Sequence, residues 1–161
     1  RAKEQVKSVS EVVREGIQDV RGSLNRLRPG ALEGRTLKDA LEKMIREYQT
    51  LSNLQVDLHY EWVDVDMDVM IEDTIFRVIQ ESMTNAVRHG HASQMSLHFF
   101  ENEEDYLIEL QDNGVGFETL TYGYGLKQMM ERISILGGQL QFESRDGFFT
   151  RISLPKYKEG R

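Results

Sequence analysis

The sequence predicts an α+β fold: a two-layer sandwich with helices on one face of a mixed, mostly antiparallel sheet, preceded by a long N-terminal helix. Three observations predict it. Apolar residues recur at spacings of three and four in four separate stretches, as in amphipathic helices. Five short stretches read as strands, bounded by turn residues. These strands come as hairpins rather than alternating with helices, which argues against a doubly wound sheet.

At 161 residues the chain suits one domain with an appended helix, and 39% hydrophobic content is enough for a core. No apolar run approaches the roughly 18 residues of a membrane span, and the polar stretch from Arg1 to Ser10 is unlike a signal peptide. The chain therefore reads as a soluble protein or soluble fragment. The lack of cysteine excludes disulfides and thiolate metal sites and fits a reducing cytoplasm. A net charge of −7 with no basic stripe argues against nucleic acid as a partner. It leaves room for a phosphate-bearing ligand, which a few local groups can hold.

Residues 1–28 read as a helix with a narrow apolar seam of Val6, Val9, Val13, Ile17, Val20, Leu24 and Leu27, ended by Pro29-Gly30. Such a seam fits half of a dimerising bundle better than a helix packed on its own domain. Residues 1–30 are therefore set apart from a main domain over 31–161. Thr36, with Asp39 three residues on, resembles a capping box and opens a helix whose apolar face is Leu37, Leu41, Met44, Ile45 and Tyr48. Val56, Leu58 and Tyr60 alternate with polar residues in a strand. The acidic loop from Asp64 to Asp68 leads to a helix burying Ile71, Ile75, Val78, Ile79, Met83, Ala86 and Val87. Two strands follow, one with Met95, Leu97 and Phe99 on one face, the next with Tyr106, Ile108, Leu110 and Asp112, turning at Asn102 to Asp105. A loop with four glycines, Gly114 to Gly125, runs into a last helix carrying Leu126, Met129, Met130, Ile133 and Leu136. The final hairpin runs from Gln139 to Leu154 and turns near Asp146-Gly147.

Two segments carry chemistry in combination. Glu81, Asn85 and Arg88 stand at i, i+4 and i+7, a polar stripe beside the apolar face where a cleft wall would be. An amide oxygen such as that of Asn85 suits Mg²⁺, which keeps several waters and takes few protein ligands. Arg88 can meet phosphate oxygens, and Glu81 can orient a water or act as a base. The plain alternative is a solvated helix edge. Asp112 lies on the inward parity of its strand, where a carboxylate must accept hydrogen bonds; an exocyclic amine such as adenine N6 would supply one. Its alternative is an Asx turn toward Gly114. Gly114 and Gly116 permit close approach of a ligand, and Gly123-Tyr124-Gly125-Leu126 opens a helix whose free N–H groups favour an anion. The glycines form neither a Walker motif nor a Rossmann fingerprint. His89 and His91 stand close but lack a cysteine or nearby glutamate, so zinc is not expected; His59 and His98 read as surface residues of strands.

The order of these boxes is similar to that of sensor histidine kinases, and more narrowly of the NarL/DesK-type subfamily. The N box, Gln80 to His89, matches Gln-Glu-x-x-x-Asn-x-x-Arg/Lys-His. Leu27-Arg28-Pro29 matches the end of the second dimerisation helix. Asp112-Asn113-Gly114-Val115-Gly116-Phe117 and Gly123-Tyr124-Gly125-Leu126 match the two glycine boxes, and Met130-Glu131-Arg132 with Gly137-Gly138 extends the match. The resemblance implies a Bergerat-type ATP-binding fold, shared with gyrase and MutL-type ATPases. It implies Asn85 as the Mg²⁺ ligand, Glu81 as the acid that helps the reacting histidine, Arg88 near the phosphates, His89 among the nucleotide-binding residues, Asp112 as the adenine reader, and Phe117 to Tyr122 as a short lid. It also implies a homodimeric, membrane-tethered parent kinase, with a response regulator as the onward partner and this chain as a cytoplasmic domain.

The chain departs from the pattern twice. Its four histidines are followed by Tyr60, Gly90, Ala92 and Phe99, and none fits a phosphoacceptor, which is followed by an acid. Residues 1–28 resemble the second dimerisation helix alone. The chain is thus expected to be a fragment that binds ATP without autophosphorylating; a lone second helix leaves it free to be monomeric. The last hairpin has Gly147-Phe148 where the family has Gly-Thr. Thr150 can replace that hydroxyl only if the strand shifts. Two alternatives compete: an anti-sigma-factor-type serine kinase, disfavoured by the leading seam, and a non-catalytic nucleotide-binding scaffold, disfavoured by the intact Asn85 and Asp112.

Overall fold

The computed structural model describes residue 32, residues 34–117 and residues 124–156. The helix expected over residues 1–28 lies outside the described residues, as do residues 118–123 of the glycine-rich loop.

The first described helix, α1 (Leu37–Leu51), is capped as its sequence predicts: Thr36 Oγ1 accepts from Asp39 N at 3.1 Å. After β1 (Gln55–Tyr60), Asp68 caps α2 (Val69–Arg88), accepting from Met70 N at 2.7 Å. The two helices are joined in the core by a hydroxyl pair. Thr84 Oγ1 spends its one proton on Gln80 O at 3.0 Å, so Tyr48 O–H donates to Thr84 Oγ1 at 2.7 Å. That bond fixes the part of α2 that carries Glu81 and Asn85.

The remaining elements are β2 (Gln94–Glu101), β3 (Asp105–Asp112), α3 (Tyr124–Ile135), β4 (Gln139–Ser144) and β5 (Phe148–Pro155). They complete a five-stranded sheet of order β1-β2-β3-β5-β4. Two neighbouring pairs are the predicted hairpins, β2–β3 and β4–β5, and β5 pairs antiparallel with β3. The β1–β2 pair is parallel, with Leu58 opposite Leu97. This is the parallel part of the predicted mixed sheet: β1, α2 and β2 form a crossover unit, because parallel neighbours need a long connection and α2 supplies it.

One face of the sheet is apolar and buried under the helices. Met95, Leu97 and Phe99 of β2 stand opposite Asp112, Leu110 and Ile108 of β3, and Leu110 and Ile108 stand opposite Thr150 and Ile152 of β5. The other face carries His98, Glu109 and Arg151 in one row. In α3, Met129 and Ile133, four residues apart, are buried against the sheet end, while Met130 is 37% exposed. The sequence reading puts Met130 in the core with Met129, but it stands 100° round the helix from Met129 and falls off the buried face.

Candidate functional site

Three element ends meet at one corner of the helical layer: the C-terminal half of α2, the end of β3 and the first turn of α3. On α2, Glu81, Asn85 and Arg88 are all half-buried, so the stripe is a wall rather than a solvated edge. Asn85 holds the helix end with its backbone, its carbonyl accepting from His89 N at 2.9 Å and Gly90 N at 3.1 Å. Its side-chain amide makes no hydrogen bond among the described residues, and Arg88 makes no ion pair among them. Both keep their ligand capacity. His89, the C-cap, is exposed.

Asp112 is 6% exposed, on the covered face of β3 as its parity predicts. Oδ1 accepts twice, from Gly114 N at 2.8 Å and from Phe148 N at 2.9 Å. The first bond is the Asx turn that the sequence left open as an alternative; the second comes from the facing strand. Both fall on one oxygen, and Oδ2 accepts nothing among the described residues. The carboxylate is therefore held by its frame and still has an acceptor to offer.

Glycines set how closely these parts approach. A Cβ on Gly114 would stand 2.4 Å from Gly90 O, and Val115 N donates to that same carbonyl at 3.0 Å, so the first glycine box is stitched to the end of α2. Gly116 has φ +66. At the start of α3, a Cβ on Gly125 would lie 2.3 Å from Glu81 Oε1. The second glycine box and the N box thus touch through one missing methyl. The first-turn N–H groups of α3, at Tyr124, Gly125 and Leu126, form an anion-favouring helix start beside Glu81. Gly123 and the lid segment beyond Phe117 lie outside the described residues.

Sequence reasoning missed two contributors. Asn113 Oδ1 accepts from Ser93 N at 2.8 Å and Gln94 N at 2.9 Å, and its Nδ2 donates to Ser93 Oγ at 2.9 Å. It fastens the loop to the start of β2, but an Asp-Asn-Gly run shows only a turn. The second is aromatic: Phe148 packs 5.1 Å from Phe117 and 5.5 Å from Phe142, and Phe117 N donates to Ser144 Oγ at 3.0 Å. Phe148 thus reaches Asp112 with its backbone and closes the loop with its ring. Thr150 stands opposite Leu110 on the covered face of the sheet, buried at 3%.

The model of the family described as histidine kinase-, DNA gyrase B- and HSP90-like ATPase matches residues 70–158, more than half of the chain. Among curated relatives, the chain is 35% identical over 147 residues to the signal transduction histidine-protein kinase/phosphatase UhpB of Salmonella typhimurium, covering 88% of this chain and 29% of that protein. It is 30% identical over 152 residues to the sensor histidine kinase LiaS of Bacillus subtilis, covering 92% of this chain and 42% of that protein. The chain therefore spans less than half the length of these relatives, and they fit the NarL/DesK-type group. Among solved structures, the Acinetobacter baumannii histidine kinase AdeS superposes with a TM-score of 0.63 at 18% identity, over 96% of this chain and 82% of that one. A histidine kinase domain from Erythrobacter litoralis EL346 gives 0.63 at 19%, over 74% and 60%. At these identities the structures speak for the fold alone, and the fold is the Bergerat type.

Proposed function

This chain belongs to the histidine kinase-, DNA gyrase B- and HSP90-like ATPase family, and on that premise we propose that its corner cleft binds ATP with Mg²⁺. In the full-length protein, the cleft presents the γ-phosphate to a histidine of the dimerisation element, for onward transfer to a response-regulator aspartate. Residues 31–161 are the catalytic domain in this reading, and residues 1–30 part of the dimerisation element of a homodimeric, membrane-tethered kinase. No helix among the described residues is long and apolar enough to cross a membrane.

The observation that carries the reading is the divided carboxylate of Asp112. With Oδ1 held by two backbone N–H groups, Oδ2 is left for the exocyclic amine of adenine. Gly114 and Gly147 let neighbouring backbone pack directly on this strand end, which holds the carboxylate in place. At the other end, the uncommitted amide of Asn85 suits a hard divalent cation, and the uncommitted guanidinium of Arg88 suits phosphate oxygens. Bound Mg²⁺ would neutralise charge on the β- and γ-phosphates. Glu81, set against the first turn of α3, is placed to take the proton that the histidine loses as its nitrogen bonds to phosphorus and ADP leaves. The chain's part is positioning and charge neutralisation. Thr150, buried opposite Leu110 on the same face, would offer its hydroxyl near the base.

Calorimetry with a non-hydrolysable ATP analogue tests this. We expect saturable, Mg²⁺-enhanced binding. Asp112→Asn should weaken it by about ten- to a hundredfold, the worth of a charged buried hydrogen bond, while keeping the loop folded. Asn85→Ala should keep binding but lose its Mg²⁺ dependence. No binding by the unmutated chain, or full affinity in Asp112→Asn, would overturn the reading.

A further inference from the structure

The ring of Phe148 stands at the base end of the cleft, and the nucleotide reading gives it no role. The β3–β5 ladder closes with Gln111 opposite Phe149, so one rung further on Phe148 comes opposite Asp112. Phe148 N, donating to Asp112 Oδ1 at 2.9 Å, fixes that rung. Phe148 shares the parity of Thr150 and Ile152, so its ring stands on the covered side of the sheet, as the Asp112 carboxylate does. Opposite residues on one face hold their Cβ atoms about 5 Å apart. The ring is therefore the direct neighbour of the carboxylate.

Two more rings hold it there. Phe117 lies 5.1 Å away at 57°, and Phe142 lies 5.5 Å away at 71°. All three are half-buried, whereas Phe76 and Phe99 of the core are fully buried. An apolar corner left part open beside an acceptor oxygen suits a flat ligand with a donor on its edge. A nucleobase is such a ligand: its amine meets Oδ2 while its π face meets a ring. The carboxylate alone does not choose the base, because adenine, guanine and cytosine all carry an exocyclic amine. The ring does choose, because its contact area grows from a one-ring base to a two-ring base. By contrast, the cavity of about 160 Å³ between α2 and α3 is lined by Arg77, Glu81, Gln128 and Arg132 among others and offers no ring to a base.

We propose that Phe148 is a specificity-determining residue for a purine base: the base bonded to Asp112 lies with its face on the Phe148 ring, which Phe117 and Phe142 hold in place. The proposal rests on the nucleotide reading above and names the group that, with Asp112, reads the base.

Calorimetry with non-hydrolysable ATP and CTP analogues tests it. Phe148→Leu keeps an apolar side chain against Phe117 and Phe142 and removes the flat face. It should weaken the ATP analogue about tenfold and the CTP analogue by less, narrowing the purine preference. Phe148→Tyr, which keeps the face, should bind the ATP analogue as the parent does. Phe142→Leu makes the same change one ring further from Asp112 and should stay within about twofold of the parent. Thermal melts show that each variant is folded. Phe148→Trp adds an optical signature: the ATP analogue should quench the new emission, and inorganic tripolyphosphate, which has no base, should not. The native Trp62 does not interfere, being 5% exposed and bonded to Phe100 O at the far end of β2. Unchanged or tighter ATP-analogue binding in Phe148→Leu, an equal loss in Phe142→Leu, or no emission change in Phe148→Trp at saturation would overturn the proposal and leave Phe148 as packing for the loop. No analogue binding by the unmutated chain would instead sink the nucleotide reading.

Discussion

The open face of this sheet and the covered corner beside its other face use their chemically able side chains in opposite ways. On the open face, His98 bonds Glu61, Arg151 bonds Glu109 with Nε at 2.7 Å, and Arg145 bonds Glu143 at 2.8 Å while lying 4.1 Å over the Phe149 ring. A broad depression of about 680 Å³ lies there, lined by His59, Glu61, His98, Glu109 and Arg145 among others, and it is the larger of the two cavities described. Its charges answer one another. On the covered side, Asp112, the one buried carboxylate among the described residues, has an oxygen to spare, and Asn85 and Arg88 are uncommitted among those residues too. The comparison teaches that unspent bonding capacity in a covered place marks the site better than cavity size or charge count does.

If the covered corner is a fixed frame, changes there should cost far more than changes on the open face. The largest loss is expected from Gly147→Ala. Its φ of +132 is closed to side chains, and the new Cβ would stand 2.0 Å from Asp112 O, against backbone that cannot swing away. We expect about 2–4 kcal/mol of lost stability in urea unfolding, with loss of the Phe148 N to Asp112 bond and of analogue affinity. Gly34→Ala is the control. Gly34 also has positive φ, at +69, but nothing lies within 4 Å of its Cβ position, so only the conformational cost of about 1 kcal/mol applies. Equal losses at both positions would mean that the corner is not a tight frame.

The parts of this architecture that follow local rules were legible from the sequence. Thr36 and Asp68 flank their helices where caps and acidic loops predict, and Ile108, Leu110 and Asp112 share a face because parity allows nothing else. The order of the motif boxes carried the family. The long-range fits were not legible. No pattern announces that Asn113 reaches Ser93, that a methyl on Gly125 would strike Glu81, or that Phe148 gives its backbone to Asp112 and its ring to Phe117. Each depends on two segments meeting in space, and a single sequence holds each segment separately. The predicted mixed sheet left open which strands run parallel, for the same reason: a hairpin leaves a turn signal, while the β1–β2 crossover leaves only the helix between.

The open face should yield a much smaller effect. Arg151→Ala removes an exposed ion pair with Glu109 and a distant contact, 5.8 Å, with Phe149. We expect less than about 1 kcal/mol of lost stability, shrinking further at high salt, and no change in analogue affinity. A loss as large as that of Gly147→Ala would abolish the distinction between the faces.

The smallest predicted effect sharpens the comparison within α2 itself, whose two ends treat acids differently. Glu72 sits in the first turn, where the helix dipole favours a carboxylate. Its pKa is nevertheless raised, by burial first and by the charge of Asp66 second. The same carboxylate adds to the burial that pushes the Tyr60 hydroxyl up to about 12. A raised folded-state pKa means that the folded chain holds this proton more tightly than the unfolded chain. Stability from this group is then full below the ordinary glutamate value, falls as pH rises toward the raised folded value, and is level above it. Glu72→Gln should remove that fall, leaving the variant slightly more stable than the parent at neutral pH and no more stable at low pH. Melting midpoints of both chains from pH 4 to pH 8 measure it. A variant less stable at neutral pH would show that the dipole, and not burial, governs this end of the helix.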